Sequence, residues 1–388
     1  MADLENGQLL EVGGRNPHTA RAELPLCFSR WWCLLPIGVG ACYCTIGVRQ
    51  DWAVWCFGDL LPVRQSQIIM MFTAICSIGH ALPAYFVVAI CESDEFQAMV
   101  RSASAGNPHY LDKLVADVKW LWWKPARNCC FTCFATGLLG YAAFQTVQAG
   151  LVFAALGIIG AFSRFESRLL ELMHKMCHQE VSNFIALMIP TVPEDSDKAQ
   201  ADKSVSHFRK SPKWQAVSAA HSEMDRRMDD LWAPHLGSAL LALAVLLRFA
   251  EGLGTLVIGV VLEDTKAKVC AWTFGVWLTR SALSNFVRPA GLTTRCVSGN
   301  PRFGLTAIPV VVNGFACHCD MTQEEKTGFL MFTAYLQQTV TGVELFGVLV
   351  TPALVSQLSA GLLTHVPIAI GLLQSFISSE RVHSSHHD

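Results

Sequence analysis

Apolar residues along this chain come in long unbroken blocks rather than in the short alternating runs of a half-buried sheet. Charged segments with aromatic edges separate the blocks. The first block covers residues 26–48 and carries Trp31 and Trp32 near its start, where indole rings anchor a helix at a lipid–water boundary. A second covers 67–91, after a short segment containing Trp52 and Trp55. Residues 92–128 are charged and end in Trp-Leu-Trp-Trp-Lys-Pro-Ala-Arg, an aromatic and basic edge suited to a headgroup zone. The next block, 129–162, is too long for one upright crossing of a hydrocarbon core about 30 Å thick. A turn near Gln145 and Gln148 divides it into helices at 129–146 and 150–188. The second of these keeps a helical apolar pattern among charges, so it projects beyond the bilayer. Further blocks lie at 233–262, 269–290 and 328–377. The last is again too long, and divides into a helix outside the bilayer and a true span from Pro352, a residue that starts or kinks a helix.

These blocks predict an all-α fold, a polytopic membrane protein with seven transmembrane helices and long cytoplasmic extensions of helices 4 to 7. Composition strengthens the picture. The 388 residues are 52% hydrophobic and only 15% charged, against about a quarter charged in an ordinary soluble domain. A net charge of −2 gives no basis for binding nucleic acid. The start of the first block lacks a small-residue cleavage site, which predicts an uncleaved span.

Charge fixes the orientation. With the N-terminus inside, 22 Lys and Arg residues face the cytoplasm and 5 face the other side, a strong positive-inside asymmetry. Seven crossings then leave the C-terminus extracellular. The expected organisation is a cytoplasmic segment at 1–25, a seven-helix transmembrane domain at 26–377 and an extracellular tail at 378–388. A polar, Pro-broken cytoplasmic loop at about 190–212 is expected to be disordered. Arg248 and Glu251 fall inside the fifth span at a spacing that allows them to form an intramembrane ion pair.

The end of the chain carries the most specific pattern. Phe346-Gly347 precedes an apolar segment, Thr364-His365 opens the final run, and Gln374-Ser375-Phe376 closes it. This resembles the signature of the insect gustatory and odorant receptor superfamily, with Thr-His standing for Thr-Tyr and Gln-Ser-Phe for Gln-Phe. The charged helix running into a small-residue-rich apolar one at 221–247 is similar as well. Here the Thr-to-Gln spacing is three residues longer than in the family, and Pro367 sits within the run.

The resemblance implies a gustatory receptor-like chemoreceptor at the plasma membrane, a homo- or hetero-tetramer acting as a ligand-gated, non-selective cation channel. It implies that the last helix lines a central pore, with Gln374 at its outer end. Independently of the family, apolar rings gate pores by dewetting and a polar side chain replaces ion hydration. Ile370, Gly371 and Ile377 lie three or four residues from Gln374 and share its helical neighbourhood. The resemblance also implies a small organic ligand held among the outer halves of spans two to six. Tyr141, Phe144, Gln145, Phe153, Trp272 and Trp277 are the candidates by position, since aromatic rings with a few polar groups suit such a ligand.

Other readings have thinner support. Asp225-Arg226-Arg227 is the one cue for a seven-helix G-protein-coupled receptor. It sits before the fifth span, and such receptors carry the N-terminus outside. A transporter or a membrane scaffold fits the same hydropathy. His174 and His178, with His383, His386 and His387, mimic two boxes of membrane di-iron enzymes, but the charge count places them on opposite sides. Glu171, His174 and His178 share a helix face that is expected to be exposed to solvent. The fifteen cysteines form no disulfide framework, and Cys42, Cys44, Cys76, Cys130, Cys133 and Cys270 act as small apolar residues inside spans. With no phosphate loop, nucleophile elbow or triad, neither enzymatic activity nor a cofactor is expected.

Overall fold

The computed structural model describes residues 34–49, 63–105, 127, 130–131, 133–138, 140–142, 147–189, 208, 211–232, 237–262, 265–339, 341–345 and 348–384. Among them the fold is all-α, with eleven α-helices, a short helical stretch at Cys133–Ala142 and one minimal β-hairpin.

Helix α1 (Leu34–Val48) packs on α2 (Val63–Gly79). The contact is close because Gly40 has no side chain, and a Cβ there would lie 2.9 Å from the Ala74 carbonyl oxygen. Helix α3 (Ala81–Glu92) continues the rod of α2 after a break at His80. The break has a local cause. Pro83 offers no N–H to the Gly79 carbonyl, and the His80 amide bonds to both Cys76 and Ser77 carbonyls at 3.2 and 3.1 Å, which tightens the turn. Helix α4 (Asp94–Ala105) begins with Asp94 and Glu95 in its first turn, and the Ser93 hydroxyl caps it by accepting from the Phe96 amide.

A short apolar helix, Cys133–Ala142, precedes α5 (Val147–Met188). At about 1.5 Å per residue α5 is roughly 63 Å long, twice the thickness of a hydrocarbon core. Helix α6 (Trp214–Trp232) buries Trp214, Val217, His221, Met224, Met228 and Leu231, a stripe at three- and four-residue spacing. Helices α7 (Gly237–Val261) and α8 (Thr265–Val297) form a tight pair. Gly252 and Gly275 face each other across it, and a Cβ on Gly275 would stand 2.9 Å from the Gly252 carbonyl oxygen.

A 3-10 turn (Pro301–Thr306) capped by Asn300 leads to α9 (Ile308–His318). Helix α10 (Gln323–Gln338) starts with a reciprocal capping box between Thr322 and Glu325. The hairpin, β1 (Glu344–Leu345) and β2 (Val348–Leu349), pairs Glu344 with Leu349 and Leu345 with Val348. It delivers the chain to α11 (Pro352–Ser384), which begins at the proline expected to open the last span.

The molecule divides by burial. The larger core gathers the end of α3, α4, the C-terminal half of α5, α6, α9 and α10 around Met173, Met176, Cys177 and Phe332. Elsewhere large apolar side chains face outward, among them Ile75, Phe131, Leu151, Val276 and Leu372. Two helical rods, Val63–Glu92 and Gly237–Val261, are long and apolar enough to cross a membrane.

Several boundaries differ from those expected. Helix α8 runs to Val297 rather than 290, because Phe286, Ala290, Leu292 and Cys296 keep one face buried in the large core. Helix α11 continues to Ser384, past the expected end at 377. Most of the expected loop at 190–212 lies outside the described residues, as does the expected segment 1–25. Phe208, near the end of that loop, is buried edge-on against Phe315 and so anchors the entry to α6.

Gly252→Val places two methyl groups where the α8 backbone passes. We expect this overpacking to cost about 1–3 kcal/mol, read as a lowered unfolding midpoint in detergent. Gly38→Val, at a glycine with open space around it, serves as the control.

Candidate functional site

The break at His80 turns its ring inward, and the ring is fully buried. Its Nδ1 lies 2.9 Å from Glu166 Oε1 on α5, and its Nε2 lies 2.7 Å from Glu251 Oε1 on α7. Glu166 is as buried as the histidine, and Glu251 nearly so. One turn before Glu251, Arg248 donates to the Ser281 hydroxyl of α8 at 2.7 Å and to the Ser167 hydroxyl and Ser163 carbonyl of α5. Four helical elements thus meet at a buried polar network embedded in apolar surroundings. Charges in such a place are expensive unless paired and hydrogen-bonded, and here the partners come from different helices.

Sequence reasoning reaches half of this network. Arg248 and Glu251 are both present, but each finds its hydrogen bonds on other helices rather than on the other. They sit one turn apart on α7, and His80 and the serines of α5 and α8 occupy the directions in which they point. His80 and Glu166 were not singled out. The available signals were a lone histidine in an otherwise charge-poor apolar block, three residues before Pro83, and a glutamate on the buried face of α5.

Three of the expected ligand residues, Tyr141, Trp272 and Trp277, have described side chains. Tyr141 is half-exposed on the short helix before α5. Trp277 is exposed and stacked on Phe274, with ring centroids 5.6 Å apart. Trp272 lies across Gly259 of α7. The side chains of Phe144, Gln145 and Phe153 lie outside the described residues. A groove of about 470 Å³ opens between α4 and α6, lined by Arg101, Arg226 and Arg227 and by Asp94, Glu95 and Glu223 among others. The pore candidates all lie on α11. Gly371 is exposed there, while the side chains of Ile370, Gln374, Phe376 and Ile377 lie outside the described residues. Thr364 and His365 are exposed, and the Thr364 hydroxyl bonds back to the Ala360 carbonyl at 2.9 Å.

The histidines of α5 correct one expectation. His174 is buried, edge-on to Trp232, and His178 Nδ1 lies 2.9 Å from the Arg295 guanidinium. An arginine has only donors, so that nitrogen of His178 accepts and the ring is held neutral. Burial of α5 against α6 and α8 removes the exposed metal-binding face. Among the described residues no group of three or more His, Cys, Asp or Glu side chains is placed to hold a metal. Arg226 and Arg227 of the Asp-Arg-Arg motif are structural as well. Arg226 pairs with Glu223 and Asp230, while Arg227 reaches Ser102 of α4 and Glu180 of α5.

His221 of α6 is a second buried imidazole. Phe184, Phe332 and Tyr335 surround it edge-on, and neither ring nitrogen has a hydrogen-bond partner. Burial pushes its pKa down to about 4. No protein-family model, curated protein or solved structure matches the chain.

A histidine with a depressed folded-state pKa binds fewer protons folded than unfolded over the interval between the two values. Its contribution is therefore present above about 6.5, the unfolded value, and is lost as pH falls toward about 4. Replacing His221 by Phe removes this linkage and fills the same aromatic cage. The His221→Phe protein is expected to lose stability less steeply than wild type between these pH values, as read by thermal unfolding across a pH series.

Proposed function

We propose that this chain is a multi-pass membrane protein with seven crossings, its N-terminus cytoplasmic, acting as a gustatory receptor-like chemoreceptor. In this reading it is a ligand-gated, non-selective cation channel at the plasma membrane, built as a homo- or hetero-tetramer around α11 and opened by a small organic ligand.

The observation that carries the reading is the exposure of α11. Its foot is fixed, yet Leu358, Ile368 and Leu372 on one side are exposed, as are Ser356, Ala360, Pro367 and Gly371 on another. An apolar helix bare on two faces calls for lipid on one and neighbouring copies on the other. The second stripe is made of small or weakly polar residues, and Gln374 follows Ser356 by five helical turns along α11. Small residues permit close approach of helices around an axis, and an amide at the end of such a stripe suits a pore constriction. The length of α5 and the charge asymmetry support a cytoplasmic extension of the bundle, and two rods meet the length and apolarity of membrane spans.

A transporter is the second reading. The buried network of His80, Glu166, Arg248 and Glu251 favours it, since ionisable groups within a membrane bundle commonly serve ion or proton pathways.

Two measurements test the proposal. An N-terminal epitope tag is expected to be reached by antibody only after permeabilisation, and labelling of intact cells would overturn the orientation. Ligand-evoked currents are expected in cells expressing the chain, with conductance or selectivity changed by Gln374→Ala. Currents indifferent to that substitution would remove α11 from the pore.

A further inference from the structure

We propose that His80, Glu166, Glu251 and Arg248 form a proton-binding site, which is electroneutral only while it holds one proton beyond that of a neutral imidazole. The inference goes beyond the channel reading and does not depend on α11 lining a pore.

Proton counting carries the argument. A hydrogen bond between an imidazole nitrogen and a carboxylate oxygen needs one proton between the two atoms. His80 makes two such contacts, at 2.9 Å to Glu166 and 2.7 Å to Glu251. A neutral imidazole supplies one proton, so the geometry requires a second. That proton sits on His80 as imidazolium, or on one carboxyl beside a neutral ring; in a pair this close it belongs to the group as a whole. Either way the three groups together carry one negative charge, and the guanidinium of Arg248 cancels it.

Removal of the proton has two consequences. One short contact becomes a meeting of lone pairs, and a net negative charge is left in apolar surroundings. Both act between the break in the α2–α3 rod and the helices on which it rests. Glu166 on α5 and Glu251 on α7 face His80, Cys76 on α2 lies near Glu251, Arg248 on α7 lies near both carboxylates, and α8 contributes the Ser281 hydroxyl through Arg248. Glu166 Oε2 is buried without a hydrogen-bond partner. Protonation and the seating of the rod are therefore linked, as any ligand is linked to the conformation that binds it.

The test uses the full chain in lipid nanodiscs near neutral pH, labelled with nitrogen-15 histidine. The His80 signal is identified by its loss in His80→Gln. The expected result is His80 with both nitrogens protonated, or His80 with one bare nitrogen together with a carboxylic-acid infrared band that Glu166→Gln or Glu251→Gln abolishes. Arg248→Gln removes the balancing charge and is expected to add one carboxylic-acid band. Should Arg248→Gln fail to fold, the double variant His80→Gln/Glu251→Gln removes one charge of each sign and is expected to fold with no titrating signal from the site. A bare His80 nitrogen with no carboxylic-acid band in the wild type would overturn the proposal. A double variant that keeps the wild-type proton signal would overturn it equally.

Discussion

The two hydrogen bonds of His80 are the constraint on which the arrangement of the helices depends. They hold the break in the α2–α3 rod against α5 on one side and α7 on the other, with the His80 ring fully buried. Removing one partner of a buried pair leaves an uncompensated charge, which costs about 3–5 kcal/mol. The same geometry explains why the rod breaks at this point. Pro83 leaves the Gly79 carbonyl without its helical donor, and the His80 amide divides its bond between the Cys76 and Ser77 carbonyls. Arg248 extends the constraint to α8 through Ser281, so one polar network sets the relative positions of four helical elements.

Away from this network the molecule is held by two different kinds of packing. Toward one end, glycines let backbones approach, as at Gly40 beside Ala74 and at Gly252 beside Gly275. Toward the other, large side chains interlock. Trp214 stacks on Phe332 and meets Phe315 and Phe329 edge-on, and His221 stands in its aromatic cage. The first mode suits a solvent as apolar as the side chains themselves, where burial offers little driving force. The second suits water, where removing apolar area is the main source of stability.

What the sequence made legible was the part governed by periodicity and by residue-specific chemistry. The all-α class, the course of α5 to Met188 and the start of α11 at Pro352 follow from apolar spacing and from proline. The break at His80 did not follow, because uniform hydropathy along the rod hides a local change in its hydrogen bonding. Arg248 and Glu251 were visible as intramembrane charges, yet their partners come from residues 80, 163, 167 and 281, which no local pattern connects. His174 shows the converse error. Its charged neighbours suggest a wet helix face, whereas Trp232 of a later helix covers it.

The foot of α11 is fixed with unusual thoroughness. Val343 and Val350 are fully buried, the Val350 amide bonds to the Val343 carbonyl at 2.9 Å, and the Val343 amide donates to Thr293 of α8. From there about 50 Å of helix continues with several of its described side chains bare. Mechanically this is a cantilever. A small rotation of the hairpin at its base becomes a displacement of several ångströms at the far tip, and because the base is pinned to α8, whatever tilts α8 also steers the tip.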